Sequence, residues 1–323
     1  MKNKLLAVSA IFGMVASASA VKVNNNLSIN GFIDGSYELV EAGTTGQNNQ
    51  QELGLDEIEI NFNVNVGGIS GLVAIDSHNA AGNEDLNIEQ AHITYNLNDA
   101  VSLTFGRYGS ALGFEREDPA GLYTYSRAYG GSNGNSFNAG NIDNGNVVEG
   151  LTVAYSSDVY TLAASFQEAV GAFSDSEDLN LELSFTYTGI AGVNIGGGYF
   201  FDNREVGANE QDKANLHVSR QFGKLLLAGE YTQLDHSTNG EADGYLLLAD
   251  YDVNDKLGVA VRFSNNENGA GNADFEQFTI APNYQITDSL GAILEYTDFE
   301  GDNSVGATNT DGEIYAVELT YTF

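Results

Sequence analysis

Residues 58–66 read Ile58-Glu59-Ile60-Asn61-Phe62-Asn63-Val64-Asn65-Val66. Every even position is Ile, Phe or Val, and every odd position is Glu or Asn. That period of two is the period of a β-strand, whose successive side chains point to opposite faces. The stretch Leu179-Asn180-Leu181-Glu182-Leu183-Ser184-Phe185-Thr186-Tyr187 repeats it. Long strands with one wholly apolar face need a broad apolar neighbour. In a soluble sandwich that neighbour is a second sheet; in a membrane barrel it is lipid.

Outward from these stretches the rhythm continues from Asn26 to the end of the chain. About 16 segments have membrane-spanning length, an even number as barrels require. Their cores fall at 27–40, 53–66, 70–77, 86–97, 101–108, 147–156, 159–168, 178–188, 191–202, 213–222, 224–235, 243–253, 256–266, 274–286, 289–299 and 313–323. The connections alternate. Seven are short: Gly67-Gly68, Asn98-Asp99-Ala100, Ser157-Asp158, Gly189-Ile190, Gly223, Asn254-Asp255 and Thr287-Asp288. Eight are long and rich in Gly, Asn, Asp and Glu: 41–52, 78–85, 109–146, 169–177, 203–212, 236–242, 267–273 and 300–312. A sandwich gives no reason for such alternation, whereas outer-membrane barrels pair tight periplasmic turns with longer external loops. The expectation is an all-β, 16-stranded antiparallel transmembrane barrel with both termini on the periplasmic side. No linker interrupts residues 21–323, so they read as one domain.

The two ends fit this expectation. Lys2 and Lys4, the apolar run Leu5 to Val15 and the small residues Ala16-Ser17-Ala18-Ser19-Ala20 form a secretory signal peptide over residues 1–20, cleaved after Ala20. At the other end, Tyr315, Val317, Leu319, Tyr321 and Phe323 fall on one face of a closing strand. That tail resembles the C-terminal signal of outer-membrane barrels. The resemblance implies that Tyr321 and Phe323 are read by the barrel assembly machinery.

Composition narrows the function classes. After residue 20 no apolar run reaches the ~18 residues of a membrane-spanning helix. With no Cys, thiol catalysis and Cys-based metal sites are excluded. With 17 Tyr, 17 Phe and no Trp, interfacial girdles must be built from Tyr and Phe. Net charge is −33. Without the two signal lysines, ten basic residues face 45 acidic ones. Nucleic acid is therefore not an expected partner, since phosphates need cationic contacts. An acidic pore lining favours cations, and an acidic, solvated exterior also fits the number. Outer-membrane lipids and lipopolysaccharide are the expected surroundings.

The longest connection, 109–146, is the third external one. A loop of this length in a compact domain is usually functional or disordered. This one carries Phe114, Leu122, Tyr123, Tyr125, Tyr129 and Phe137, which a solvated disordered loop would not need. Folding inward would pack them against the wall. Glu115, Glu117 and Asp118 would then bring negative charge to a constriction, with Arg107, Arg116 and Arg127 nearby. Opposed charges across a narrow pore set a transverse field and select permeants. Phe105-Gly106-Arg107-Tyr108, then Gly113-Phe114-Glu115, Pro119 and Tyr125-Ser126-Arg127 resemble the OmpL-like β-barrel porin group and, more loosely, the general porins. The resemblance is strongest over residues 101–130. It implies a third loop that folds into the barrel and narrows it, and a homotrimer.

Strand parity nominates the lining. With apolar faces toward lipid, Asp34, Glu38, Glu57, Glu59, Asp76, Glu182, Glu230, Asp250, Arg262, Glu295 and Glu318 point inward. A midplane Arg or Lys facing lipid would cost about 2–4 kcal/mol, Asp or Glu less. A bulge near Gly106 or across 86–91 would invert local parity.

An enzyme reading has little support. His78, His92, His217 and His236 lack a metal-ligand partner at helical spacing, and no Gly-x-Ser-x-Gly elbow occurs. Gly196-Gly197-Gly198 lies within a strand, outside any phosphate-loop context. The acidic loops Asp202-Asn203-Arg204-Glu205 and Glu300-Gly301-Asp302-Asn303 offer oxygens to divalent ions but lack the spacing of a calcium motif. No cofactor and no dedicated metal site are expected. The function expected is passive diffusion of small hydrophilic solutes and cations. The alternatives are a substrate-selective channel for a sugar, peptide or cationic nutrient, and a structural or adhesive barrel with a closed lumen. An aromatic track would favour the selective channel, and Phe32, Phe200 and Phe275 have inward parity.

Overall fold

A computed structural model describes residues 20–43, 48–78, 86–115, 119–128, 147–168, 179–203, 211–236, 240–268, 273–302 and 310–323. A two-residue strand β1 (Val21–Lys22) pairs with the start of β2 (Leu27–Ala42). Then follow β3 (Gln50–Val66), β4 (Ile69–His78), β5 (Asn87–Asn96), β6 (Val101–Gly109), β7 (Val147–Ser156) and β8 (Tyr160–Glu168). The second half comprises β9 (Asn180–Ile190), β10 (Val193–Phe201), β11 (Gln211–Phe222), β12 (Leu225–His236), β13 (Gly240–Asp252), β14 (Leu257–Asn268), β15 (Ala273–Thr287), β16 (Leu290–Asp302) and β17 (Thr310–Thr322). From β2 onward each strand pairs antiparallel with the next. β17 returns to pair with β2 from Gly312↔Ala42 to Thr322↔Phe32, closing a 16-stranded barrel. Phe323 completes the seam: its N–H donates to the Gly31 carbonyl and its carbonyl accepts from the Gly31 N–H, both at 3.0 Å.

The sixteen segments expected from the dyad pattern are all present. Several run further toward the long connections, as in β3, which starts at Gln50, and β17, which starts at Thr310. Polar residues there break the apolar rhythm but not the backbone ladder, which needs no apolar side chain. One tight turn lies elsewhere than expected. The β9–β10 reversal is at Ala191-Gly192 instead of Gly189-Ile190, with Gly192 at φ 72°. That positive φ is the conformation glycine adopts without a Cβ penalty.

Parity is kept, with two bulges inside strand pairs and two further register steps beside the β9–β10 and β15–β16 turns. Opposite Asp34 and Gly35 the register steps from Glu57 to Leu55, leaving Asp56 extra. Leu55 therefore stays outward, and Asp56 and Glu57 both fall on the inner side. On β5 the register steps from Gln90 to Ile88, so Glu89 is the inserted residue. Gly106 causes no slip: His92↔Gly106 and Ala91↔Arg107 stay in step. Its φ of 130° and the Ala91 carbonyl, which a Cβ would strike, leave room for glycine alone.

Leu216, Leu247, Leu294 and Val317 are among the large apolar side chains exposed on the outside. Tyrosines form two belts there. Tyr155, Tyr160, Tyr187, Tyr251, Tyr284 and Tyr321 lie near the tight turns, and Tyr199, Tyr231, Tyr245, Tyr296 and Tyr315 near the long connections. In the second belt Tyr199 donates to Asp212 (3.1 Å), and Tyr296 and Tyr315 both donate to Glu313 (3.2 and 2.5 Å). Amphipathic rings with a polar tip suit the boundary between lipid and water.

The seam makes a testable demand. Deleting Phe323 removes both hydrogen bonds to Gly31. The yield of barrel that migrates as a compact band without heating should fall several-fold, read by gel mobility before and after boiling. An unchanged yield would mean that the last residue does not contribute to closure.

Candidate functional site

The third long connection begins after Gly109, and its described parts, 110–115 and 119–128, lie against inward-facing side chains. Its contacts follow the strand order around the wall. Glu182 on β9 accepts from Ser110 Oγ (2.7 Å) and the Ala111 N–H (2.9 Å). Asn215 on β11 accepts from the Gly113 N–H (3.2 Å), and Glu230 on β12 from the Phe114 N–H (2.6 Å). Glu295 on β16 accepts from the Ser126 N–H at 3.2 Å with either oxygen. Each carboxylate satisfies a backbone donor that a barrel interior would otherwise leave to water, and charged acceptors make the stronger hydrogen bonds.

Arg262 on β14 is the hub. Its side chain is fully buried, and Nη1 meets the Glu115 carboxylate at 3.0 and 3.2 Å. Nη1 also lies 2.7 Å from Thr124 Oγ1 and 2.5 Å from the Ser126 carbonyl, and Nη2 donates to Ser126 Oγ (2.9 Å). Glu115 in turn accepts from the Ala128 N–H (2.7 Å), and its carbonyl accepts from Arg127 (2.7 Å). Parity placed Arg262 and Glu115 in separate groups, and the structure joins them. In this pair, Glu115 is a fastening of the loop to the wall.

Apolar contacts complete the fastening. Phe114 and Ala128 pack with Ala228, Leu246 and Leu248, with Tyr123 and Leu226 alongside. Leu112 packs on Phe200. Burying a side chain the size of Phe contributes about 1.5–3 kcal/mol. Inward-facing leucines were not expected, yet the run Tyr245-Leu246-Leu247-Leu248 carried the signal, because it is apolar on both faces. Phe200 serves as a loop anchor. Phe32 and Phe275, on β2 and β15, do not combine with it into an aromatic track.

Of the eleven lining residues nominated by parity, ten are buried on the inner side and Glu38 is half-buried. Arg107 is different: it shares the outward parity of Leu103 and Phe105 and stands opposite Glu149 on β7, away from the Glu115 group. The reason is alternation, since Tyr108, its neighbour, points inward and bonds Ser165 at 2.8 Å. Arg116, Glu117 and Asp118 lie outside the described residues, as do Tyr129 and Phe137.

The described parts of the loop meet the wall at points from β9 to β16. Beyond them, Asp34, Glu38, Asp56, Glu57, Glu59, Asp76 and Glu318 share the inner side of β17, β2, β3 and β4. Tyr125 reaches this sector and accepts a hydrogen bond from Ser36 Oγ (3.2 Å). Burial, reinforced by the Glu38, Asp56 and Glu318 carboxylates, raises its phenol well above the ordinary value, so it stays protonated. Among the described residues, the basic side chains inside the barrel are Arg127, Lys213 and Arg262. Of His92 and His217, the first meets Tyr108 edge-on at 6.3 Å and the second Phe114 at 6.1 Å, both packing roles.

Breaking the fastening should show in stability and in current. Arg262→Met leaves Glu115 buried without its cation, a change that costs about 3–5 kcal/mol in buried pairs. The double change Arg262→Met with Glu115→Leu should recover much of the loss. Thermal unfolding in detergent and single-channel noise check this; equal stability of the single and double variants would show that the pair is not coupled.

Among solved structures, the barrel is similar to OmpF of Salmonella typhi in complex with daunomycin (TM-score 0.68, 16% identity, 94% of this chain and 100% of that one). It is also similar to an anion-selective porin from Comamonas acidovorans (0.66, 13%, 92% and 99%) and to the trimer form of in-vitro folded OmpT of Vibrio cholerae (0.61, 13%, 92% and 99%). At these identities the likeness concerns the fold. No curated protein matches the chain by sequence. The model of the Gram-negative porins matches residues 6–304, nearly the whole length. A closed 16-stranded barrel with a polar interior and an apolar outside, matched over that length, belongs to the Gram-negative porin family: the chain is an outer-membrane porin for passive diffusion and not an enzyme.

Proposed function

We propose that this porin passes small hydrophilic solutes with a preference for cations, through a lumen narrowed by loop 109–146. The observation that carries the preference is the acidic sector on β17 to β4, set against few basic side chains inside the barrel. Of those, Arg262 is already engaged by Glu115. Barrels of this shape include one titled anion-selective, so preference follows from lining charge and not from fold. The narrowing is supported by the many bonds from 110–115 and 119–128 to the wall, because a segment held there occupies lumen. Glu115, Arg127 and Arg262 set its position, and Glu117, Asp118 and Arg116 add charge to the same loop.

The chain is exported through residues 1–20 and matures at Val21, and Tyr321 and Phe323 present its assembly signal. A homotrimer follows from the resemblance to general porins and from the trimer form among the similar structures. The resemblance over residues 101–130 supports membership of the OmpL-like group within the family. Lipopolysaccharide surrounds the upper tyrosine belt.

Reversal potential in a salt gradient tests the preference. It should have the sign of cation selectivity, and more strongly at low ionic strength, where screening is weak. Glu57→Gln, Glu59→Gln and Asp76→Asn together should shift it toward zero. Anion preference in the unaltered protein would overturn the lining argument. Removing residues 115–118 should raise conductance; no change would remove the loop from the constriction.

A further inference from the structure

Below the fastened loop is a shallow cleft, partly open to the lumen, at the end of the barrel that carries the tight turns. Pro119, Leu122 and Tyr123 of the loop form one side; Asn283 and Gln285 of β15 and Thr320 of β17 are on the other. In a chain of net charge −33, none of the residues lining it is charged.

Its polar groups are only partly satisfied by the wall. Thr320 spends its hydroxyl proton on Asp34 (2.9 Å). Asn283 bonds the Asp250 carboxylate, which only its amide N–H can do, and Gln285 Nε2 donates to the Thr287 carbonyl (2.6 Å). One donor of each is thus spent inside the wall. Asn283 Oδ1 and Thr322 Oγ1 are buried with no partner among the described residues. Gly291 adds room, since a Cβ there would meet nothing within 4 Å.

We propose that this cleft is a binding subsite for one edge of a neutral polyhydroxy solute, the rest of which stays in the lumen. Hydroxyl groups, which both donate and accept, can pair with the Asn283 oxygen and with the Thr322 hydroxyl, and the C–H face of a sugar ring fits against Tyr123, Leu122 and Pro119. An anion is disfavoured by Asp34 and Asp250 behind the wall. A cation finds no carboxylate at the surface of the cleft. The inference rests on the reading of the barrel as an open pore and deepens it: a diffusion channel with one weak stopping place for a sugar.

The test uses the full chain in planar bilayers with glucose and 1,4-diaminobutane as probes. Glucose should reduce current saturably, beyond the linear effect of viscosity. Gly291→Phe, which fills the cleft, should weaken that saturation at least about tenfold, a loss of roughly 1.4 kcal/mol of binding, with reversal potential unchanged. Tyr123→Ala, which strips the apolar side without burdening the strand, should weaken it too and serves if the first variant does not assemble. A purely linear effect of glucose overturns the proposal, as does saturation unaltered in the variants or saturation by 1,4-diaminobutane alone. Absence of any conductance overturns the pore reading itself, a different outcome from conductance without saturation.

Discussion

Hydrocarbon offers no partner to a backbone N–H or C=O, and each group left unpaired there costs several kcal/mol. This constraint governs the molecule. A sheet in lipid must close on itself, so β17 has to find β2 across the whole chain. The pairing of Phe323 with Gly31 carries that closure to the last residue. Closure then fixes inside and outside for every strand at once. The apolar set is committed to lipid, and carboxylates at mid-membrane depth turn inward. The acidity of the lumen is thus a consequence of composition combined with topology.

Inside, the same problem recurs on a smaller scale. A loop folded into a barrel brings backbone donors away from bulk water. Glu182, Glu230 and Glu295 supply acceptors, while Arg262 neutralises Glu115 and binds the carbonyl of Ser126. Glu182, Glu230, Arg262 and Glu295, on β9 to β16, thus hold the described parts of the loop. The carboxylates of β17 to β4 form a separate acidic sector, which Tyr125 touches.

Much of the architecture was legible because it is written in local alternation. Ile58 to Val66 and the residues around Glu182 announce strand, face and exterior without any tertiary knowledge. The turn at Ala191-Gly192 was less legible, since Thr188-Gly189-Ile190-Ala191-Gly192 offers two glycines and only pairing with β9 chooses between them. Arg107 was misplaced because proximity to the loop was weighed above its own parity beside Phe105. The partnership of Glu115 with Arg262 spans 147 positions, and no local pattern encodes it. Leu246 and Leu248 did leave a trace, as a break in alternation that marks where something apolar must come to lie.

The loop also has a place in time. Its partners are far along the chain: Ser126 and Glu295 are 169 positions apart, and Phe114 and Glu230 116. Contacts of such separation carry a large entropy of loop closure and form late in folding. Moreover, Glu295 and Arg262 face the loop only when β14 and β16 already stand in a curved wall. Docking of 110–115 and 119–128 therefore has to follow the building of the wall that receives them: the barrel is the template, and these segments are fitted to it afterwards.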